Sequence, residues 1–241
     1  MPIRLSVAAT VIARWLKANR LRLLALFGCV LVPLFLFGEL AEEVSDKEPL
    51  AFDEAILLMM HSHASPTLDR VMLLASALGS GAWVAPVDVI ACAVLLGRRR
   101  WIDALFWSLA TGGASLLNVL AKHSFARTRP DLWLSVAPET SFSFPSAHAM
   151  QTMALAAALI VLLWPTSARI PALLLGIGFT LFVGTSRVYL GVHYPSDVLA
   201  GWSASLAWVA GLSFLFYRHA VRRKGPVAHG DRLTGRAPRS R

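Results

Sequence analysis

The sequence predicts an all-α, polytopic membrane protein in which six transmembrane helices form one bundle. Of the 241 residues, 56% are hydrophobic and only 15% are charged, and several apolar runs are long enough to cross a bilayer. A water-soluble domain of this length would show alternating apolar and polar faces instead. No segment between the runs is large enough to fold alone, so we assign residues 23–217 to a single domain.

The first three spans are predicted over residues 23–37, 68–96 and 102–121. The first follows a basic stretch and ends without a convincing small-residue cleavage site, which indicates an uncleaved span rather than a signal peptide. The second restarts after Pro66, and Gly79-Ser80-Gly81 predicts a bend within it. The third ends at Lys122.

Two features lie between and within these first spans. The segment after span one is acidic, and residues 52–60 predict a short interfacial helix with a solvated polar face.

Asp88 lies inside span two, where a carboxylate is by default a functional candidate. We interpret it as structural, either neutral or hydrogen-bonded to a neighbouring helix, because no catalytic partner is near it in sequence.

The last three spans are predicted over residues 147–164, 170–185 and 195–217. The fourth begins just after Pro145, a short turn with Pro165 and Arg169 precedes the fifth, and the sixth begins at Pro195. An even number of spans places both termini on the same side of the membrane.

The distribution of cations predicts the orientation. Of 23 lysines and arginines, 17 lie on one side: five before span one, three after span two, one between spans four and five, and eight after span six. By the positive-inside rule the termini are cytoplasmic and the loops after spans one, three and five face out. The net charge of +9 is therefore an orientation signal and does not indicate nucleic-acid binding.

The two ends of the chain are assigned by composition. Residues 1–22 are basic, and they form either a short amphipathic helix on the cytoplasmic leaflet or a flank that only sets orientation. Residues 218–241 are rich in Arg, Gly and Pro, which predicts a disordered cytoplasmic tail.

The predicted topology brings three polar segments to one membrane face: residues 122–130, 145–148 and 186–197. Lys122 supplies a compact charge, and Arg129 and Arg187 supply planar forks that suit a tetrahedral oxyanion. Ser146 precedes span four, where N–H groups of a helix start could also face an anion. No cluster of carboxylates or histidines at metal-ligand spacing occurs in these loops, so the segments predict a phosphate site without a metal.

Two histidines complete the candidate site. Hydrolysis of a phosphate ester needs a nucleophile and a proton donor for the leaving oxygen, and His193 and His148 can divide these roles. Asp197 lies four residues after His193, so one helical turn could bring its carboxylate to the imidazole and fix the tautomer. This makes His193 the better candidate for the nucleophile.

These segments resemble the three signature motifs of the PAP2 (type 2 phosphatidic acid phosphatase) family. The matching residues are Lys122-x6-Arg129-Pro130, Pro145-Ser146-Ala147-His148 and Ser186-Arg187-x5-His193-x3-Asp197. The resemblance covers spans three to six. It implies that His193 forms a phosphohistidine, Asp197 orients it and His148 protonates the leaving group. Four residues would then hold the phosphoryl oxygens: Lys122, Arg129, Ser146 and Arg187.

Ala147 is a departure from this pattern, since the family usually has glycine there. An alanine would be strained in a glycine-only conformation and harmless in an ordinary first helical turn, which we favour. Two further residues near the motifs, His123 and Arg127, fit a solvated loop or a lipid-headgroup contact better than a catalytic role.

The resulting expectation is an integral membrane lipid phosphatase that acts without a metal or other cofactor. Its substrate would be a polyprenyl pyrophosphate, phosphatidylglycerol phosphate or phosphatidate, and its site would face outward from a bacterial cytoplasmic membrane. Two alternatives remain: an enzyme similar to the vanadate-binding haloperoxidases, whose members are soluble, and a catalytically silent lipid-binding or lipid-transporting protein. The two histidines speak against the silent protein, because binding alone requires no proton transfer.

Overall fold

The structure is a computed structural model that describes residues 17–21, 23–47 and 50–217. None of these residues lies in a β-strand. A π-helical turn, Phe27–Leu31, leads into the first of the helices, which we number as follows: α1 Val32–Ser45, α2 Ala51–Ser62, α3 Pro66–Leu78, α4 Gly81–Gly97, α5 Trp101–Phe125, α6 Ala147–Leu163, α7 Arg169–Tyr189 and α8 Pro195–Tyr217. The expectations for residues 1–16 and 218–241 lie outside the described residues.

Six helical segments are apolar enough to be membrane spans, as predicted. Five are long enough to cross a bilayer: Lys17–Ser45, Pro66–Gly97, Trp101–Phe125, Arg169–Tyr189 and Pro195–Phe216. The sixth, α6, is a shorter apolar helix. The chain is therefore an all-α integral membrane protein.

Helix ends extend beyond the apolar runs that predicted them. The first span continues to Ser45, and α5 and α7 continue to Phe125 and Tyr189, so Lys122 and Arg187 lie in final helical turns rather than in loops. Hydropathy marks where the apolar face stops, whereas backbone hydrogen bonding continues through polar residues as long as they have partners.

The predicted bend in span two is confirmed at Gly79 and Ser80, where α3 ends and α4 begins. Gly79 packs against Val183 of α7 so closely that a Cβ would overlap its side chain. Glycine thus allows the end of α3 to approach α7. Within α4, the backbone carbonyl of Asp88 accepts from Trp107 Nε1 at 3.2 Å. The carboxylate oxygen Oδ1 is buried and has no hydrogen-bond partner among the described residues, so the hydrogen bond to a neighbouring helix is made by the backbone of Asp88 and not by this oxygen.

The centre of the bundle is built from small side chains. Buried alanines of α5 and α6 pack with Phe106, Trp107 and Val209, and such small residues let helices approach closely in a membrane protein. Helix α6 contacts α5, α7 and α8. This packing brings the C-terminal ends of α5 and α7 and the N-terminal ends of α6 and α8 together.

The short helix predicted after span one is present as α2, but the expectation that its polar face is solvated is wrong at Asp53. This side chain is only 3% exposed and pairs with Arg127. The local sequence alone predicts that a single acid near the start of an amphipathic helix is exposed to solvent. The burial of Asp53 depends on Arg127, a partner that is distant in sequence.

Candidate active site

His193 lies in the short turn between α7 and α8, and it is buried, with an exposed fraction of 1%. Gly191 makes this turn possible because its φ of +68° belongs to the left-handed region. A Cβ at Gly191 would also meet the Trp133 indole. The turn therefore fixes the imidazole two residues further on.

The structure brings His193 and Asp197 together as predicted. His193 Nδ1 lies 3.3 Å from Asp197 Oδ2, and the same oxygen accepts from the Tyr194 N–H at 2.9 Å. Asp197 is in the first turn of α8 and is fully buried. A carboxylate in this position favours the tautomer in which Nδ1 carries the proton.

Arg129 lies on the other side of the imidazole. Its Nη1 is 3.1 Å from His193 Nε2 and donates to the Val192 carbonyl at 2.6 Å. Its Nη2 donates to Glu139 Oε2 at 2.9 Å. The guanidinium thus joins the imidazole to the loop between α5 and α6.

Arg187 is the most deeply buried of the cations in the candidate site. Its two terminal nitrogens donate to Ser76 of α3 and to Glu139 Oε1. Its Nε is buried and has no hydrogen-bond partner within the described part of the chain. Glu139 therefore bridges Arg129 and Arg187, a role that sequence reasoning missed because it offered only a loop carboxylate.

Lys122 points into the same region from the last turn of α5. Its Nζ donates to Ser141 Oγ at 3.0 Å and to the Phe142 carbonyl. It interacts electrostatically with Arg129, Arg187, Glu139 and Asp197. All three predicted cations thus surround one carboxylate, Glu139.

Ser146 precedes the first turn of α6 and is fully buried. Its N–H donates to the Asp197 carbonyl at 3.0 Å. The backbone N–H of Ser146 itself is therefore not free for an anion, and the prediction that N–H groups of this helix start face an anion does not hold for Ser146. Its Oγ has no partner among the described residues. A buried hydroxyl without a partner is uncommon, and it suits an oxyanion ligand.

Ala147 begins α6 with a helical backbone and is absent from the residues with positive φ in the described ranges. The expectation of an ordinary first turn is therefore confirmed. His148 follows it and is partly exposed. Glu139 interacts electrostatically with both His148 and His193, so both histidines lie within electrostatic range of this carboxylate.

The surroundings hold His193 in its neutral form. Burial lowers the pKa of His193 well below its ordinary value of 6.5, and Arg187, Arg129 and Lys122 lower it further. For Glu139, burial acts to raise the pKa, but the guanidiniums of Arg187 and Arg129 outweigh it and lower the value. The free site thus contains a neutral imidazole and an ionised glutamate.

The expectation that Arg127 lies in a solvated loop or contacts lipid is wrong. Its guanidinium donates to Asp197 Oδ1 at 2.6 Å, to Ser196 Oγ at 2.7 Å and to Asp53 Oδ2 at 2.9 Å. The sequence did contain one signal for a role of Arg127 in the site: it lies two residues before Arg129, within the first motif. Asp53 gave none, since 74 residues separate it from Arg127.

His123 is exposed, as expected, and lies edge-on to Phe142. No group of three or more His, Cys, Asp or Glu side chains suited to a metal ion occurs in the described ranges. The cations of the site can bind an anion, and the neutral imidazole of His193 lies beside them.

Comparison with known proteins shows the family to which the chain belongs. Residues 101–222 match the PAP2 superfamily, and the chain is similar to phosphatidylglycerophosphatase B of Bacillus subtilis, with 34% identity over 73% of this chain and 89% of that protein. It is also similar to the undecaprenyl-diphosphatase of Sulfolobus acidocaldarius, with 28% identity over 70% and 81% of the two chains. The chain belongs to the PAP2 superfamily.

The fold agrees with a solved member of the same superfamily. The crystal structure of the transmembrane PAP2-type phosphatidylglycerolphosphate phosphatase from Bacillus subtilis superposes with a TM-score of 0.66 at 29% identity, over 81% of this chain and 98% of that one. Together with the relatives, this confirms the predicted class: the protein is a phosphoric ester hydrolase of the membrane.

Proposed function

We propose that the protein hydrolyses the phosphomonoester or pyrophosphate of a membrane lipid through a phosphohistidine at His193, without a metal. The observation that supports this most directly is the placement of His193, with Nδ1 toward Asp197 and Nε2 toward Arg129. Lys122 and Arg187 also act on this imidazole electrostatically. A neutral imidazole in this tautomer presents an unprotonated Nε2 to a phosphorus atom held by the cations.

In the first step, Nε2 of His193 attacks phosphorus and the bond between phosphorus and the lipid oxygen breaks. The leaving oxygen takes a proton from His148. Asp197 stabilises the positive charge on the phosphorylated ring through the Nδ1–H group. In the second step, His148 takes a proton from water, the water oxygen attacks phosphorus, and the P–N bond breaks to release phosphate.

Four residues bind the phosphoryl oxygens in this proposal: Lys122, Arg129, Ser146 and Arg187. The charges of the three cations lie where negative charge develops in the transition state, and the Ser146 hydroxyl is a neutral donor. The buried Ser146 Oγ and Arg187 Nε, which lack partners in the described ranges, are suitable donors to such an anion. In the free protein Glu139 occupies the guanidiniums that the substrate would use.

The substrate class follows from the relatives and from the membrane setting. Phosphatidylglycerol phosphate, a polyprenyl pyrophosphate and phosphatidate all carry a terminal phosphoryl group on a lipid tail, which the bundle can accept from the bilayer. The cation distribution supports a site on the extracytoplasmic face of a bacterial cytoplasmic membrane.

The test is phosphate release from these three lipids by the full-length protein purified in detergent with chelator present, compared with His193→Ala. We expect release by the parent and a loss of at least about a thousandfold in the variant, because the covalent step has no nucleophile. Trapping the labelled phosphoenzyme by rapid quench checks the intermediate. Release by folded His193→Ala at the parent's rate would exclude the proposal, and loss of parent activity with chelator that magnesium restores would exclude the metal-free mechanism.

A further inference from the structure

We propose that Arg127 and Asp53 are positioning residues for the hydrolysis: Arg127 holds the Asp197 carboxylate against His193, and Asp53 holds Arg127. This inference rests on the proposed function, in which His193 attacks phosphorus. Neither residue contacts the imidazole, and neither is among the residues to which the three motifs assign catalysis or phosphate binding, so both act through Asp197.

Asp197 needs a counter-charge because it is fully buried, and a buried carboxylate without a partner is costly. Its two oxygens face different groups. Oδ2 faces His193 Nδ1 and the Tyr194 N–H, while Oδ1 accepts from Arg127 Nη1 at 2.6 Å. Arg127 therefore fixes the far oxygen of the carboxylate and with it the plane in which the near oxygen meets the imidazole.

Arg127 is itself fixed on several sides. Its Nη2 donates to Asp53 Oδ2 at 2.9 Å, its Nη1 donates to Ser196 Oγ at 2.7 Å, and its Cζ lies 4.0 Å from the centroid of the Tyr194 ring. Burial alone lowers the pKa of Arg127, but the carboxylates of Asp197 and Asp53 outweigh burial and raise it above its ordinary value. The guanidinium is thus a permanent charge in one orientation.

Asp53 connects this pair to the start of α8. Its Oδ1 accepts from the Ser196 N–H at 2.9 Å, and its Oδ2 accepts from the Ser196 hydroxyl at 2.5 Å. Ser196 directly precedes Asp197. One side chain of the short helix α2 therefore holds both Arg127 and the first turn of the helix that carries Asp197.

The charges explain why two acids share one guanidinium. If Arg127 paired with Asp197 alone, its fork could bind both carboxylate oxygens and neutralise the carboxylate. Because Asp53 takes the second nitrogen, Asp197 Oδ2 stays free for His193. The Asp197 carboxylate, with Oδ2 facing Nδ1 of His193 at 3.3 Å, is then placed to stabilise the positive ring formed when His193 is phosphorylated.

The alternative is that this network only fastens α2 to the bundle. Such a role would affect thermal stability and all functions of the site together. The positioning role acts on the chemical step alone, since neither Arg127 nor Asp53 binds the phosphoryl group. A positioning role therefore predicts a lower kcat with KM and the phosphate inhibition constant unchanged. A purely fastening role predicts that all three quantities change together.

The experiment measures these quantities for Asp53→Asn in full-length protein, with Glu54→Gln as the matched control. Glu54 is the exposed acid next to Asp53 on the same helix. We expect Asp53→Asn to lower kcat by roughly tenfold to a hundredfold, as a small misplacement of a reacting group does, with KM and phosphate inhibition within about twofold of the parent. Equal kcat in the two variants, or a fall in kcat matched by an equal weakening of phosphate inhibition, would overturn the proposal.

A double-mutant cycle tests whether Asp53 acts through Arg127. Arg127→Gln is expected to lower kcat at least as much as Asp53→Asn. The double variant is expected to lose clearly less than the product of the two single losses, the remaining effect of Asp53→Asn coming from its bonds to Ser196. If Arg127→Gln does not fold, Arg127→Lys takes its place, because one ammonium cannot reproduce a fork that bonds two carboxylates. Additive losses in either background would overturn the inference.

His193→Ala in the same assay separates this inference from the proposed function. Activity that survives His193→Ala removes both. An inactive His193→Ala together with an Asp53→Asn variant that behaves like Glu54→Gln leaves the proposed nucleophile in place and removes only the positioning roles.

Discussion

Nη1 of Arg129 lies 3.1 Å from Nε2 of His193. A guanidinium has only donors, so Nε2 must accept and carry the lone pair. The proton of the neutral ring is then on Nδ1, which lies 3.3 Å from Asp197 Oδ2. The free protein thus holds the tautomer required for attack from Nε2. Arg129, which covers this nitrogen, is one of the four residues proposed to bind the incoming phosphoryl group.

The depressed pKa of His193 predicts how stability depends on pH. In the unfolded chain the imidazole takes up a proton near its ordinary pKa of about 6.5, whereas in the folded protein burial and the nearby cations keep it neutral to much lower pH. The free energy of unfolding therefore has its full value, as far as His193 is concerned, above about pH 6.5. Below that pH it falls by about 1.4 kcal/mol per pH unit until the folded-state pKa of His193 is reached.

Thermal unfolding of the parent and of His193→Gln between about pH 5 and about pH 7.5 measures this dependence. Glutamine removes the titration and keeps a hydrogen-bonding side chain. We expect the parent to lose stability more steeply on the acid side than the variant. Parallel curves for the two proteins would contradict the depressed pKa.

Glu139→Gln is expected to strengthen inhibition by inorganic phosphate. The Glu139 carboxylate bridges Arg129 and Arg187 and is 31% exposed, so its removal frees two guanidiniums for a competing anion. The gain is roughly threefold to tenfold, on the order of 1 kcal/mol for a partly exposed ion pair.

The control for this change is Asp131→Asn, which removes a charge from an exposed acid of the same loop. Its phosphate inhibition constant should stay close to that of the parent. Weaker inhibition in Glu139→Gln would mean that the carboxylate is needed to hold the guanidiniums in place.

The sequence predicted the membrane fold and the meeting of the three motifs because both depend on local signals: apolar runs of sufficient length, and polar residues at the ends of consecutive spans. It could not predict Glu139, Asp53 or the role of Arg127, because each depends on partners far away in sequence. Asp53 and Arg127 are 74 residues apart, and Arg187 and Glu139 are 48 apart. Nothing in either local pattern distinguishes a buried ion pair from two solvated charges.

Ala147→Gly is expected to leave kcat and KM within about twofold of the parent. Ala147 has a helical backbone at the start of α6, so glycine offers no conformation that the site needs, and it costs up to about 1 kcal/mol of stability through its lower helix propensity. Steady-state kinetics and thermal unfolding of the single variant measure both effects. A large gain in kcat would show that the alanine strains the second motif.

The orientation is tested with single cysteines in a variant that lacks Cys29 and Cys92. Leu134→Cys, in the loop between α5 and α6, is 95% exposed and is expected to react in intact cells with a membrane-impermeant maleimide. Arg98→Cys, in the turn between α4 and α5 at the other end of the bundle, is expected to react only after permeabilisation. The reverse pattern would place the site on the cytoplasmic face and contradict the positive-inside assignment.

Gly191→Ala is expected to destabilise the protein and to lower kcat. The φ of +68° at Gly191 is unfavourable for alanine, which costs on the order of 1–3 kcal/mol, and the new Cβ would meet the Trp133 indole. Because His193 lies two residues further on, relief of this strain displaces the imidazole from Asp197.

Gly178→Ala is the matched control, since Gly178 lies within α7 and no atom is within 4 Å of a Cβ added there. This control should keep full activity and equal or exceed the parent's stability, because alanine is the better helix former. Combining Gly191→Ala with Trp133→Leu separates the two causes: recovery of activity assigns the loss to the clash, and no recovery assigns it to the backbone. If Gly191→Ala instead matches Gly178→Ala in both thermal unfolding and kcat, the turn does not depend on glycine and does not fix His193.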